Sequence, residues 1–240
     1  MQFMPATWAL YGVDGDGDGR AESLIGEALA GRRDEAFIVS KVYPHNASAQ
    51  GTMTACERSL KRLRTDRIDL YLLHWPGQVP LAETLAAFQA LRTAGKIRHY
   101  GVSNFDLSEL QAWWSLDTDH GLSTNQLLYN LTRRGIEWDL LPWMRAQHIP
   151  VMAYSPIEQA RLVRDRRLVD FASGLGITPS QAALAWLLAR DDTIAIPKTG
   201  HVKRMRENAA ALTIRLDAGQ LARLDALFAP PRQNTPLEML

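Results

Sequence analysis

The chain has 240 residues, of which 46% are apolar and 22% are charged, with a formal net charge of +1. That length suits one large domain, since α/β barrels commonly run to about 200–250 residues as a single unit. The near-neutral balance argues against a nucleic-acid or membrane-surface partner, because such partners select a clustered basic excess.

Six short apolar runs predict strands, in chain order, over residues 36–40, 68–73, 97–103, 123–127, 149–155 and 193–197. Amphipathic stretches between them predict helices over 51–63, 81–94, 180–190 and 220–228, with a further helix opening at Ser108. Alternating strands and helices indicate a parallel sheet with right-handed crossovers. No G-x-G-x-x-G follows an early strand, which favours a closed barrel over a doubly wound dinucleotide-binding sheet.

The first 20 residues are rich in Gly and Asp and contain no β-branched run, so they predict no strand. A closed barrel of this kind needs eight strands. We therefore predict an α/β fold, a (β/α)8 TIM barrel that lacks its first two strands. Residues 1–20 would form an atypical N-terminal segment and residues 21–240 the barrel domain.

Polar residues stand near the ends of the predicted strands, where barrel enzymes place their active sites. They are Lys41, His74, Ser103, Asn104, Asn125, Gln126, Tyr154, Ser155, Lys198 and Thr199. Each has a structural alternative, such as a solvated turn lysine, a structural histidine or a helix cap. Six sets at equivalent positions favour a functional site over six separate structural roles.

The segments that carry these residues resemble the successive motifs of the aldo-keto reductases over about residues 20–230. In order they read IVSKVYP, DLYLLHWPG, GKIRHYGVSNF, TNQLLYN, VMAYSP and IPKTGHVKRMREN. The resemblance implies a barrel of aldo-keto reductase type that reduces aldehydes and ketones. It also implies NADPH as cofactor, a small-molecule carbonyl substrate and no metal.

In this family a tyrosine donates a proton to the carbonyl oxygen, and a lysine held by a buried aspartate lowers the tyrosine pKa. A histidine orients the carbonyl. By resemblance Lys41 is the lysine and His74 the histidine, whereas no residue matches the aspartate. The tyrosine is expected about six residues before Glu22, where Asp16 stands. Tyr11, about five residues too early, is the candidate proton donor.

The resemblance assigns the remaining residues to NADPH. Ser103, Asn104 and Gln126 match the side chains that hold the nicotinamide carboxamide. Tyr154 matches the aromatic residue that stacks on the ring, and Ser155 begins the segment that approaches the pyrophosphate. The family often has glycines in that segment, whereas Ile157-Glu158-Gln159-Ala160 stands here.

The adenosine end of the cofactor would be bound by Lys198, Thr199, Arg204, Glu207 and Asn208. The resemblance pairs Lys198 and Arg204 with the 2′-phosphate, and such charge-assisted contacts are strong. It places Glu207 and Asn208 against the adenine. A solvated basic helix start is the alternative for this stretch.

Residues 1–20, MQFMPATWALYGVDGDGDGR, resemble a segment of bacterial lytic transglycosylases, although no catalytic residue of that family carries over. Asp14, Asp16 and Asp18 form a pattern that can hold calcium, with a flexible Gly/Asp loop as the favoured alternative. The twelfth position of such a calcium loop is Ile25 rather than glutamate, so no metal is predicted. A fusion near residue 20 would explain both resemblances.

Three functions stay open at this point. The leading one is an NADPH-dependent aldo-keto reductase, followed by a truncated, catalytically impaired remnant that binds NADPH and by a cell-wall module. The single cysteine, Cys56, is interpreted as a packing residue and indicates a reducing compartment. Residues 1–12 lack the pattern of a signal peptide, so we expect a cytoplasmic monomer or weak oligomer without membrane contact.

Overall fold

A computed structural model describes residues 19–240, in which strands and helices alternate along the chain. The strands are β1 (Val39–Val42), β2 (Ile68–Leu73), β3 (Ile97–Ser103), β4 (Leu122–Leu128), β5 (Val151–Tyr154) and β6 (Thr193–Ala195). The α-helices of the described residues are α1 (Arg20–Ala28), α2 (Ala49–Leu63), α3 (Leu81–Thr93), α4 (Leu107–Leu116), α5 (Leu140–Ala146), α6 (Arg166–Ser173), α7 (Pro179–Leu188), α8 (Val202–Ala210) and α9 (Ala218–Leu227). All six predicted strands are confirmed.

The chain divides into two compact units, one ending at Thr124 and the other spanning Asn125–Leu240. In the first unit β2 pairs in parallel with both β1 and β3, with Leu70 opposite Val39 and His99. In the second unit β5 pairs in parallel with both β4 and β6, with Val151 opposite Asn125 and Thr193. Every side chain of β2 is buried, as expected for a parallel strand that is covered on both faces.

Side-chain caps fix where the predicted helices begin. Capping boxes open α4 at Asp106, α7 at Thr178 and α9 at Asp217, and Ser48 caps α2 through a hydrogen bond from the N–H of Gly51. The predicted helices do not include α1, α5, α6 and α8. Each has nine residues or fewer, and none of the four has a capping box.

Helix α1 packs closely on the end of α2 because Gly26 has no side chain. A Cβ at Gly26 would lie 2.5 Å from the main-chain oxygen of Arg62. Next to this contact, the buried carboxylate of Glu22 accepts hydrogen bonds from Ser40 Oγ at 2.6 Å and from Arg62 Nη1 at 3.2 Å. Glu22 therefore ties α1 both to α2 and to the strand that carries Lys41.

Three parts of the expectations concern residues outside the described range. The predicted absence of the first two barrel strands, the candidate Tyr11 and the Asp14, Asp16 and Asp18 pattern all fall on residues 1–18. Among residues 19–240, no helix is long and apolar enough to cross a membrane. The same residues contain no group of three or more His, Cys, Asp or Glu side chains that could hold a metal ion.

A buried carboxylate in β2 joins this strand to β3 and to the residues just before β1. Asp69, in β2, accepts hydrogen bonds from Arg33 Nη2 at 2.7 Å and from the N–H of Ile38 at 2.8 Å. Arg98 of β3 adds an ion pair at 3.2 Å. Removing one partner of a buried ion pair is strongly destabilising, because it leaves the other charge without compensation.

We predict that Asp69→Asn lowers the free energy of unfolding by about 2–3 kcal/mol, because Arg33 and Arg98 lose their shared anion. Urea denaturation followed by circular dichroism measures the loss. The matched control is Asp34→Asn, which breaks the exposed pair with Arg67 and should cost about 0.5 kcal/mol or less. Equal losses in the two variants would contradict the role given to Asp69.

Candidate active site

Lys41 and His74 lie at the carboxyl ends of two paired strands. The sequence placed Lys41 after the first strand, whereas the structure places it within β1, opposite Leu72. The strand extends two residues beyond the predicted end because Lys41 and Val42 continue the ladder with β2. His74 follows β2, and its N–H donates to the oxygen of Val42 at 3.0 Å.

Burial sets the charge states of this pair. It lowers the pKa of Lys41 to about 8. Burial also lowers the pKa of His74 to about 3, and the charge of Lys41 adds to that effect. The two side chains are therefore close enough to interact, and His74 is neutral at neutral pH.

Aromatic rings and one amide hold His74. Its ring centroid lies 5.1 Å from that of Tyr43 and 4.6 Å from that of Trp75. Asn104 Nδ2 donates to its main-chain oxygen at 3.1 Å. Its Nδ1 is buried and has no hydrogen-bond partner among the described residues. A buried polar atom left unpaired costs free energy, so a water molecule or a ligand is expected to pair with this nitrogen.

Ser103 and Asn104 follow one another at the end of β3. Ser103 is fully buried, and Asn104 has a left-handed backbone with φ of 58°. Asparagine tolerates that conformation better than most residues. Its Nδ2 lies 3.2 Å from Ser103 Oγ as well as bonding the oxygen of His74. The amide of Asn104 therefore ties together the ends of β2 and β3.

In the second unit, Gln126, Tyr154 and Ser155 come from adjacent parallel strands. Gln126 is buried in β4 and its Nε2 lies 2.8 Å from Met152 Sδ. Tyr154 ends β5 with its phenol half-buried, and burial raises the pKa of that phenol despite a hydrogen bond from the main chain of Leu240. Ser155 follows with a left-handed φ of 48°.

The segment after Ser155 adopts a backbone that glycine prefers. Glu158, Gln159 and Ala160 have φ of 48°, 51° and 68°. Glycine adopts positive φ without the steric cost that a Cβ imposes, which is a physical reason for glycines in this segment of the family. In this chain the backbone is left-handed although none of the three residues is glycine. Asn130 and Arg133 donate hydrogen bonds to the Glu158 carboxylate. Sequence reasoning missed both residues, because their role depends on contacts distant along the chain.

The basic residues around the start of α8 form an exposed cationic cluster, defined here as Lys198, Lys203 and Arg204. Neither Lys198 nor Arg204 lies within 4.0 Å of a carboxylate in the described part of the chain. The first turn of α8 has no acidic residue, so its positive helix end adds to the cluster. This arrangement suits a phosphate group.

The other residues assigned to the adenosine end lie in or before the same helix. Thr199 Oγ1 accepts from the N–H of His201 at 3.2 Å. The main-chain oxygen of Glu207 accepts from Gln181 Nε2 at 3.2 Å, which ties α8 to α7. Asn208 is buried on the inner face of α8, whereas Arg204 is exposed.

Comparison with known proteins shows which family this chain resembles. The model of the aldo/keto reductase family matches residues 7–229. The methylglyoxal reductase YeaE of Escherichia coli (strain K12) is 46% identical over 93% of this chain and 80% of its own length. The glyoxal reductase of Bacillus subtilis (strain 168) is 33% identical over 98% of this chain and 82% of its own length.

A solved structure extends the similarity to the fold. The aldo/keto reductase from Klebsiella pneumoniae, crystallised with NADP and acetate, superposes with a TM-score of 0.92 at 44% identity. That comparison covers 95% of this chain and 82% of the Klebsiella chain. The protein described here belongs to the aldo/keto reductase family. The family match begins at residue 7 and includes Tyr11, so it covers most of the segment that we expected to resemble lytic transglycosylases, and that resemblance is not shown.

We predict that Lys41→Met raises the free energy of unfolding at pH 7 by about 3 kcal/mol, because it removes a largely buried ammonium. Between a pKa of about 8 in the folded chain and the ordinary 10.5 in the unfolded chain, only the unfolded chain holds this proton. Wild-type stability therefore rises with pH in that window, and the advantage of the variant shrinks.

Urea denaturation at about pH 7, 9 and 10 measures this difference. The control Lys61→Met, on the exposed face of α2, should change stability by about 0.5 kcal/mol or less at each pH. A variant that is less stable than the wild type at pH 7 would contradict the buried charge of Lys41.

Proposed function

We propose that this protein is an NADPH-dependent reductase of aldehydes and ketones, with small 2-oxoaldehydes such as methylglyoxal as its substrate class. The observation that carries the proposal is the pair of Lys41 and His74, a buried ammonium beside a neutral imidazole at the carboxyl ends of β1 and β2. The activities of two relatives, the methylglyoxal reductase YeaE and the glyoxal reductase, support the substrate class.

The residues present fit NADPH. The cationic cluster has two side chains, Lys198 and Arg204, without a carboxylate partner among the described residues, which suits a 2′-phosphate dianion. We assign the nicotinamide end to Ser103, Asn104, Gln126 and Tyr154, the pyrophosphate to the segment from Ser155, and the adenosine end to Lys198, Thr199, Arg204, Glu207 and Asn208. When bound, NADPH supplies the hydride.

The chain's own groups would then stabilise the charge that develops on the carbonyl oxygen. Neutral His74 can donate a ring N–H to that oxygen, and the ammonium of Lys41 lowers the energy of any anion beside it. We assign proton donation to the phenol of Tyr11, whose pKa a neighbouring ammonium would lower. In this assignment residues 21–240 form the barrel domain, residues 1–20 an atypical segment, and the enzyme is a cytoplasmic monomer or weak oligomer.

One observation favours a second candidate, an impaired remnant that binds NADPH without turnover. Burial alone shifts the pKa of Lys41, and no described carboxylate contributes. The family's lysine is held by an aspartate, and no residue of this sequence matches it. A lysine without that partner would be positioned less firmly, which would reduce the rate without preventing cofactor binding.

The decisive assay follows NADPH absorbance with methylglyoxal and a panel of other small carbonyls. We expect turnover by the wild type. Tyr11→Phe should lower kcat by about 100-fold or more, with an unchanged Kd for NADPH, because it removes only the proton donor. The control is Tyr71→Phe in β2, which should keep wild-type kcat.

The outcomes separate the two candidates. NADPH binding without turnover of any carbonyl in the panel would establish the remnant instead of the reductase. Unchanged turnover in Tyr11→Phe would exclude Tyr11 as the acid while leaving the reductase in place.

A further prediction concerns cofactor choice. Arg204→Ala should weaken NADPH binding by about tenfold, or about 1.4 kcal/mol, with little effect on NADH, because only NADPH carries the 2′-phosphate. Titration of intrinsic tryptophan fluorescence measures both affinities. Arg206→Ala, an exposed arginine two residues further along α8, is the control and should alter neither. Equal loss for NADPH and NADH would rule out the phosphate role of Arg204.

A further inference from the structure

The segment after β5, here called the β5 loop (residues 155–165), stores backbone strain. Glu158, Gln159 and Ala160 are three successive non-glycine residues with left-handed φ, at 48°, 51° and 68°. Each such residue costs roughly 1–2 kcal/mol relative to an ordinary helical or extended conformation. A path of this kind persists only where surrounding contacts hold it.

The contact that holds the β5 loop is the buried carboxylate of Glu158. Its Oε2 accepts from Asn130 Nδ2 at 2.8 Å, and its Oε1 accepts from Arg133 Nε at 3.1 Å and Nη2 at 2.9 Å. Asn130 Nδ2 also donates to the oxygen of Ser155 at 2.9 Å. Burial acts to raise the pKa of Glu158, but the hydrogen bonds from Arg133 and Asn130 hold it below its usual value. The side chain is therefore a carboxylate at neutral pH.

Arg133 has a second carboxylate partner. Its Nη1 lies 2.5 Å from Glu238 Oε1, in residues 229–240 after α9, here called the 229–240 segment. The main chain of Leu240, in the same segment, bonds the phenol of Tyr154. One guanidinium thus joins the loop after β4, the β5 loop and the segment that contacts Tyr154.

From these contacts we propose that Arg133 is a positioning residue for the cofactor, which fixes the β5 loop through Glu158 and Tyr154 through Glu238, and so slows NADPH release. The inference rests on the proposed function, in which Tyr154 stacks on the nicotinamide and the β5 loop approaches the pyrophosphate. Without Arg133 the buried Glu158 carboxylate would keep only the Asn130 amide and a longer ion pair with the exposed Arg161, at 3.8 Å. Turning that carboxylate out to water would relax the strained backbone and free the loop.

The test compares Arg133→Gln with Arg145→Gln. The control removes an arginine of the same unit whose Nε lies 2.5 Å from Asp192 Oδ2, and it does not contact the β5 loop. Stopped-flow fluorescence gives the NADPH release rate, steady-state kinetics give KM for NADPH and kcat, and thermal denaturation gives Tm. Limited trypsin digestion without cofactor reports cleavage after Arg161 and Arg164, which lie within the β5 loop.

We expect Arg133→Gln to release NADPH about tenfold faster, with a similar rise in KM for NADPH, because one buried charge pair is lost. Trypsin should cut the β5 loop faster, whereas Tm should fall no further than in Arg145→Gln. Arg133→Lys, which keeps the charge, should recover most of the wild-type release rate. Glu238→Gln removes only the contact with the 229–240 segment and should accelerate release by about threefold.

Release rates equal to those of the control, in both Arg133→Gln and Glu238→Gln, would overturn the inference while the proposed function stands. Failure of the wild-type chain to bind NADPH would overturn the proposed function and this inference with it. The wild-type titration distinguishes the two failures. Because Glu238 is partly exposed, Glu238→Gln keeps the test decisive if Arg133→Gln does not fold.

Discussion

The largely buried ammonium of Lys41 is the constraint on which the chemistry proposed for the first unit depends. Burial lowers its pKa to about 8, so at neutral pH the chain holds a cation in a place that favours the neutral form. That cation helps to keep His74 neutral, with a pKa of about 3. An ammonium and a neutral imidazole together stabilise an oxygen that carries negative charge more than they stabilise an uncharged carbonyl oxygen. In the proposed function, this difference lowers the barrier to carbonyl reduction.

Strand pairing and a few side-chain hydrogen bonds hold these groups in place. Parallel pairing of β1 with β2 sets Lys41 and His74 at neighbouring strand ends, and the amide of Asn104 holds the main chain of His74. At the opposite end of the same strands, Asp69 joins the segment before β1 to β2 and β3. The second unit also has a buried carboxylate that joins separate segments, but Glu158 holds a loop rather than a strand end.

Much of this could be predicted from the sequence. The six strands were identified because buried parallel strands form continuous apolar runs, and Lys41, His74, Ser103 and Tyr154 stand at or near their carboxyl ends as expected. Helices α1, α5, α6 and α8 were missed because they are short and lack capping boxes, so their stability comes from packing.

The contacts of Arg133 and Glu158 were beyond sequence reasoning for a different reason. The two residues are separated by 25 positions and lie in loops, where no periodicity marks a buried charge. In the sequence Glu158 stood out only as a departure from the family's glycines. Three-dimensional contacts were needed to identify it as the residue that holds the left-handed backbone of the β5 loop.

The most direct test of the central claim follows hydrogen from the cofactor to the product. Wild-type protein is incubated with methylglyoxal and NADPH deuterated at nicotinamide C4 on the transferred face, and the alcohol is analysed by mass spectrometry. We expect one deuterium on the carbinol carbon of the product. Unlabelled alcohol, or no alcohol from a folded protein that binds NADPH, would contradict the assignment of this chain as a hydride-transferring reductase.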